Sequence, residues 1–239
     1  MSNFIEIKPA PGPVNATIQP PGSKSLTNRA LPIAAIATGQ TVLNGVLDSD
    51  DTQAMIESLV KVGARIDHDQ ANHRVVVEGL SGKLQNPTAD LFIGNSGTTI
   101  RFLTALLGFA GGKFTLDGIP RMRERPIGPL VESLNQLGAN VVCQSPGGCP
   151  PVKIDSPRLQ GGTVKISGNI SSQYLSGLMM AAPLASQNVV LEIDGPLISK
   201  PYVEMTRTVM KDFGVQCDAS KSLDRFEIKP GQSLSLIHI

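Results

Sequence analysis

Two kinds of apolar stretch alternate along this chain. Leu26–Thr38, Thr99–Phe109 and Leu175–Leu184 are apolar nearly all round once past a polar first turn, which predicts helices buried on every side. The stretches after Asp48, Pro126 and Ser199 keep one polar face, as at Glu132, Asn135 and Gln136, which predicts solvent-facing helices. These amphipathic stretches close on Gly63, Gly138 and Gly214, so the spacing is 138 − 63 = 75 and 214 − 138 = 76 residues. In the first copy, Val14–Gln19, Thr41–Val46, Arg65–Asp67 and Arg74–Glu78 predict strands. The second copy repeats the order from about Leu91 to Ile154, and the third from Thr163 to Ile228. The expected fold is α/β: three βαβαββ units around an approximate threefold axis, apolar helices inside, sheets and amphipathic helices outside. Pro126 and Pro201 fall in opening turns, where proline is tolerated. Pro32 and Pro183 fall inside helices and predict a kink or an early end. A repeat alone also suits a solenoid-like scaffold, although a mixed unit of this length fits that class poorly.

Each buried helix opens on a small polar cluster: Pro21-Gly-Ser-Lys-Ser-Leu-Thr-Asn-Arg29, Gly94-Asn-Ser-Gly-Thr-Thr-Ile-Arg101 and Asn169-Ile-Ser-Ser-Gln-Tyr174. Helix N-termini present unpaired N–H groups and favour anions, so three that converge can hold a phosphorylated ligand. Lys24 and Arg29 add positive charge to the first cluster, and Ser23 and Ser25 add hydroxyls. The glycines of a P-loop are absent there, since Ile18 and Ser23 occupy the required positions. Gly97 lets a ligand approach the backbone, and Arg101 needs a partner in its apolar helix. Pro120-Arg-Met-Arg-Glu-Arg-Pro126 puts three arginines at a helix start, the wrong end for cations, so Glu124, neighbouring acids or a substrate should offset them. Ser171, Ser172 and Gln173 open the third buried helix, and Ser199-Lys-Pro-Tyr202 opens the third amphipathic one. Each cluster alone reads equally as a helix cap with solvated charge.

Composition narrows the classes. Apolar residues at 41% of 239 can build a core, and 21 basic against 20 acidic residues argue against a general nucleic-acid binder. The sequence has neither a run of apolar residues long enough to span a membrane nor a recognisable leader at its start, so the cytoplasm is the default location. Cys143, Cys149 and Cys217 have no metal or disulfide spacing and read as reduced thiols. His68, His73 and His238 read as surface positions, with no metal site expected.

Six strings in register together resemble the N-terminal half of the 5-enolpyruvylshikimate-3-phosphate synthase family. They are Pro21–Ser25 with Asn28-Arg29, Leu47–Asp51, Gly94-Asn95 with Gly97-Thr98, Pro120–Ile127, Ser171–Gln173 and Ser199–Tyr202. The resemblance implies transfer of enolpyruvyl from phosphoenolpyruvate to shikimate 3-phosphate with release of phosphate and with no metal or organic cofactor. It implies that Lys24 and Arg125 contact phosphoenolpyruvate, with Asn95, Gly97 and Gln173 close by. It implies that Ser25, Arg29, Ser171, Ser172, Ser199 and Tyr202, with Lys24 and Gln173, hold shikimate 3-phosphate. Both substrates are small molecules, and the full-length enzyme is expected to be a cytoplasmic monomer bound to neither nucleic acid nor membrane. The family is about twice this length, and its proton-moving groups lie in the half not present here. Residues 1–20 are expected to belong to that second domain, with Ile5–Pro9 loosely held in its absence, and residues 21–232 to form the domain of three repeats. Phe102 stands where the family pattern has proline, which bears on response to the inhibitor glyphosate. Residues 233–239 depart from the family, and Leu234–Ile239 reads like a translated sequencing adapter. Two other readings remain: the sister transferase acting on UDP-N-acetylglucosamine, and a non-catalytic anion-binding module.

Overall fold

The chain builds its repeat by setting one apolar helix against each of three sheets. The computed structural model describes residues 5–169, 171–232, 234 and 235. The first unit contains α1 (Lys24–Ile36), β1 (Gln40–Asn44), α2 (Asp50–Lys61), β2 (Arg65–Asp69) and β3 (Arg74–Glu78). The second runs β4 (Thr88–Phe92), α3 (Gly97–Ala110), β5 (Gly112–Asp117), a 3-10 turn (Met122–Glu124), α4 (Gly128–Gln136), β6 (Val141–Ser145) and β7 (Cys149–Ser156). The third runs β8 (Gly162–Ser167), α5 (Ser172–Ala181), a 3-10 turn (Ala182–Leu184), β9 (Val189–Asp194), α6 (Lys200–Asp212), β10 (Asp218–Ala219) and β11 (Arg225–Ile228).

The second and third sheets share one plan, β4-β5-β7-β6 and β8-β9-β11-β10. In each, the first strand lies parallel to the second, with Leu91 opposite Leu116 and Ile166 opposite Ile193. The remaining pairs are antiparallel. The first sheet has only three strands, β1-β3-β2. Val14–Gln19, expected as its first strand, forms none; Val14 is 79% and Ile18 84% exposed. An alternating segment becomes a strand only on an edge that pairs with its backbone, and none of the described residues pairs with this one. Ile5–Pro9 is likewise exposed and without secondary structure. Near the open edge of β1 there is one parallel bridge, Thr38 to Ser235, where the Thr38 N–H donates to the Leu234 carbonyl at 2.7 Å. Leu234 is buried, whereas Ile170, Ser233 and residues 236–239, including His238 and most of the proposed adapter tail, lie outside the described residues.

The helices follow their composition. Residues 31–36 of α1, 102–109 of α3 and 174–181 of α5 are buried and pack against one another as the common core. The polar faces of α2, α4 and α6 turn to solvent, and each ends just before Gly63, Gly138 or Gly214, whose φ of 108°, 94° and 81° stops the helix. α5 stops before Pro183, as expected, but α1 continues through Pro32 to Ile36. Packing on all sides of α1 outweighs the one hydrogen bond that Pro32 removes. Pro126 lies two residues ahead of α4, and Pro129 is the proline in its first turn. Leu103, fully enclosed, measures this core. Leu103→Ala should lower unfolding free energy by about 2–5 kcal/mol, read from urea unfolding at constant m-value.

Burial pushes the Cys143 thiol up to about 11 and the Cys217 thiol up to about 12, so both stay protonated at neutral pH. The three cysteines are free.

Candidate functional site

Five helix N-termini face one open cavity of about 1170 Å³. α1 brings Lys24, Ser25 and Arg29; α2 brings Asp50 and Asp51; the turn into α3 brings Asn95 to Thr98; α5 brings Ser172 and Gln173, preceded by Ser171; α6 brings Tyr202, preceded by Ser199. All eleven residues that the sequence singled out line this cavity, Arg125 included. The caps follow the local pattern: the Ser23, Ser96 and Ser171 hydroxyls accept from the N–H groups of Leu26, Thr99 and Gln173. Ser199 is the N-cap of α6, but its hydroxyl makes no capping bond; it lines the cavity at φ 55°, ψ 38°, a left-handed conformation.

The arginine cluster is resolved by the fold. Arg121, just before the 3-10 turn, pairs with Glu124, and Arg123, on the turn, pairs with Asp117 at the end of β5, so both arginines lie ahead of α4 rather than in it. Arg125 is left for the cavity. Its Nη1 donates to the Asn95 carbonyl at 2.8 Å, and the guanidinium lies across Gly97. A Cβ at Gly97 would sit 2.1 Å from Arg125 Nη2, so only glycine admits this close approach.

Arg101, a cation in an apolar helix, needs a partner. The structure supplies the Gln173 carboxamide oxygen and the Tyr174 ring, whose centroid is 5.4 Å away. Gln173 also donates to Thr98 Oγ1 at 3.2 Å, tying α5 to α3. Burial lowers the pKa of Arg101, with Tyr174 partly opposing. Arg29 is 2% exposed, and burial lowers its pKa to about 10. Among the described residues, Arg29, Arg101 and Arg125 make no ion pair. One buried and two half-buried cations in one cavity without a carboxylate partner favour an anionic ligand.

Asp51, which the sequence places in the string Leu47–Asp51 without a role at the site, also lines the cavity. Its carboxylate meets Lys24 Nζ at 2.7 Å. Burial alone would raise its pKa, but hydrogen bonds from Lys24 and Ser96 and the charges of Lys24 and Arg125 hold it below the usual carboxylate range. A depressed folded-state value stabilises the fold above the unfolded-state pKa, and that stability is lost as pH falls through the folded-state pKa. Asp51→Asn should therefore flatten the acid limb of a plot of melting temperature against pH. An unchanged acid limb would show that the pair contributes nothing.

The family model described as EPSP synthase (3-phosphoshikimate 1-carboxyvinyltransferase) matches residues 8–239. The chain belongs to this family. The chloroplastic 3-phosphoshikimate 1-carboxyvinyltransferase of Brassica napus is 49% identical over 227 residues, covering 92% of this chain and 44% of that protein. The 3-phosphoshikimate 1-carboxyvinyltransferase of Marinomonas sp. (strain MWYL1) is 45% identical over 219 residues, covering 92% and 51%. The solved EPSP synthase from Acinetobacter baumannii superposes with a TM-score of 0.81 at 25% identity, over 92% of this chain and 48% of that one. The chain thus spans about half the length of the curated relatives it matches. The EPSP synthase domain seen here is the α/β fold expected, and no helix among its described residues is long and apolar enough to cross a membrane.

Proposed function

We propose that this chain is the shikimate 3-phosphate half-site of an enolpyruvyl transferase. The observation that carries the reading is the set of unpaired cations, Arg29, Arg101 and Arg125, which share one cavity with five helix N-termini. Shikimate 3-phosphate and phosphoenolpyruvate bring two phosphates and two carboxylates between them, which this charge pattern suits. Ser25, Arg29, Ser171, Ser172, Ser199 and Tyr202 hold shikimate 3-phosphate. Arg125, beside Asn95 and Gly97, holds phosphoenolpyruvate, and Lys24 and Gln173 lie between the two.

In the reaction, the 5-hydroxyl of shikimate 3-phosphate gives up its proton as its oxygen bonds to C2 of phosphoenolpyruvate, while the C2=C3 π bond opens and C3 takes a proton. The tetrahedral adduct then loses a proton from C3, re-forms C2=C3 and expels inorganic phosphate as the bond from C2 to the phosphate oxygen breaks. This chain's residues bind and orient both substrates and stabilise the charge that builds on the adduct. Proton transfer and exclusion of water belong to the second half of the full-length enzyme. Residues 1–20 are assigned to that second domain, a reading supported by the exposure of Ile5, Ile7, Val14 and Ile18. Leu47–Asp51 and Arg123–Ile127 favour this substrate over UDP-N-acetylglucosamine.

The test is calorimetric titration of the chain with shikimate 3-phosphate, with UDP-N-acetylglucosamine as competitor. Saturable binding that the nucleotide sugar does not displace is expected, with no product when phosphoenolpyruvate is added. Displacement by the nucleotide sugar would reassign the chain to the sister transferase, and absence of binding by folded protein would end the half-site reading.

A further inference from the structure

Arg29 reaches the cavity from α1, yet the groups that hold its guanidinium come mostly from the other two units. Its Nε–H donates to Thr206 Oγ1 at 2.7 Å, and Nη1 donates to the Ser25 carbonyl at 2.7 Å. Nη2 has only long contacts, 3.5 Å to Ser176 Oγ and 3.4 Å to the Tyr202 carbonyl. The rings of Phe102 and Tyr202 lie 5.4 and 5.8 Å from the guanidinium carbon. Thr206 and Ser176 are fully enclosed.

Thr206 has one hydroxyl proton, which can go to Ser176 Oγ or to the Tyr202 carbonyl, each at 2.9 Å. The second is the common back-bond of a helical threonine and would occur without Arg29. Neither consumes the oxygen lone pair that accepts Nε–H. Valine would occupy the same volume without the cost of burying a hydroxyl. The hydroxyl therefore fixes Nε of the guanidinium to the protein, the Ser25 carbonyl takes one N–H of Nη1, and the other Nη1 and Nη2 N–H groups are those left for the cavity. A guanidinium fixed in this way binds phosphate or carboxylate in a bidentate way only when its Nη edge is aimed.

We propose that Thr206 is a positioning residue: backed by Ser176, it anchors Nε of Arg29 so that the Nη edge meets the anionic ligand. The proposal rests on the half-site reading above and adds to it a residue that never touches the ligand. The test compares Thr206→Val, Thr206→Ser and Arg29→Ala, singly and with Thr206→Val combined with Arg29→Ala. Two readouts are taken: affinity for shikimate 3-phosphate, and solvent exchange of the Arg29 Nε–H resonance.

Thr206→Val is expected to weaken binding about ten- to a hundredfold, the loss typical of a hydrogen bond to a charged group. Thr206→Ser should restore it, and Thr206→Val should cause no further loss when Arg29 is already alanine. The Arg29 Nε–H should exchange slowly in the wild type and the serine variant and rapidly in the valine variant. Unchanged affinity in Thr206→Val, or an equal loss with and without Arg29, would overturn the proposal while leaving the half-site intact. If the wild type binds no shikimate 3-phosphate, the half-site reading fails and the exchange measurement decides alone. Slow exchange persisting in Thr206→Val overturns the positioning role, and its loss with recovery in serine sustains it.

Discussion

Arg29→Ala should lower the affinity for shikimate 3-phosphate at least about a hundredfold, the largest effect of any single change in this cavity. Arg29 is a buried cation without a carboxylate partner, and burial has already lowered its pKa to about 10. The free protein carries that desolvation cost, so an anion that arrives there recovers it in addition to its own hydrogen bonds. Removing the side chain removes both. Arg29→Lys should recover little, because an ammonium cannot span the Thr206 anchor and the cavity at once. The melting temperature of Arg29→Met should stay close to that of the wild type, since the cation contributes to binding more than to folding. A variant that binds within a few-fold of the wild type would show that the phosphate or carboxylate sits elsewhere.

Gly97→Ala should separate the two ligands. The new methyl would lie 2.1 Å from Arg125 Nη2 and 2.5 Å from its Cζ, distances no real Cβ tolerates. The obstacle is the far end of a flexible side chain, so Arg125 moves and the fold persists; at the first position of α3, alanine suits the helix better than glycine. Displaced, Arg125 gives up the Asn95 carbonyl and its aim into the cavity. Affinity for phosphoenolpyruvate, titrated with shikimate 3-phosphate saturating, should fall about tenfold or more, as a misplaced group in a fitted site costs. Affinity for shikimate 3-phosphate alone should change by less than about twofold, because its proposed contacts lie on α1, α5 and α6. Equal losses for both would show that Gly97 supports the cavity as a whole rather than the Arg125 side.

The pattern of residues along the chain determined what local free energies decide. Fully apolar helices, amphipathic helices, serine caps and the glycines at 63, 138 and 214 each depend on neighbours within a turn or two, and all were legible. The six strings were legible as well, and the resemblance they carry implied eleven of the residues that line the cavity. Tertiary structure alone decided what each charged side chain meets. Lys24 finds Asp51 across 27 residues, Arg101 finds Gln173 across 72, and Arg29 finds Thr206 across 177. No local pattern encodes such pairs, because burial and distance set their strength and both exist only once the units pack. Val14–Gln19 shows the converse. Its alternation is that of a strand, but a strand needs a backbone edge that its own residues cannot supply, and none of the described residues supplies it.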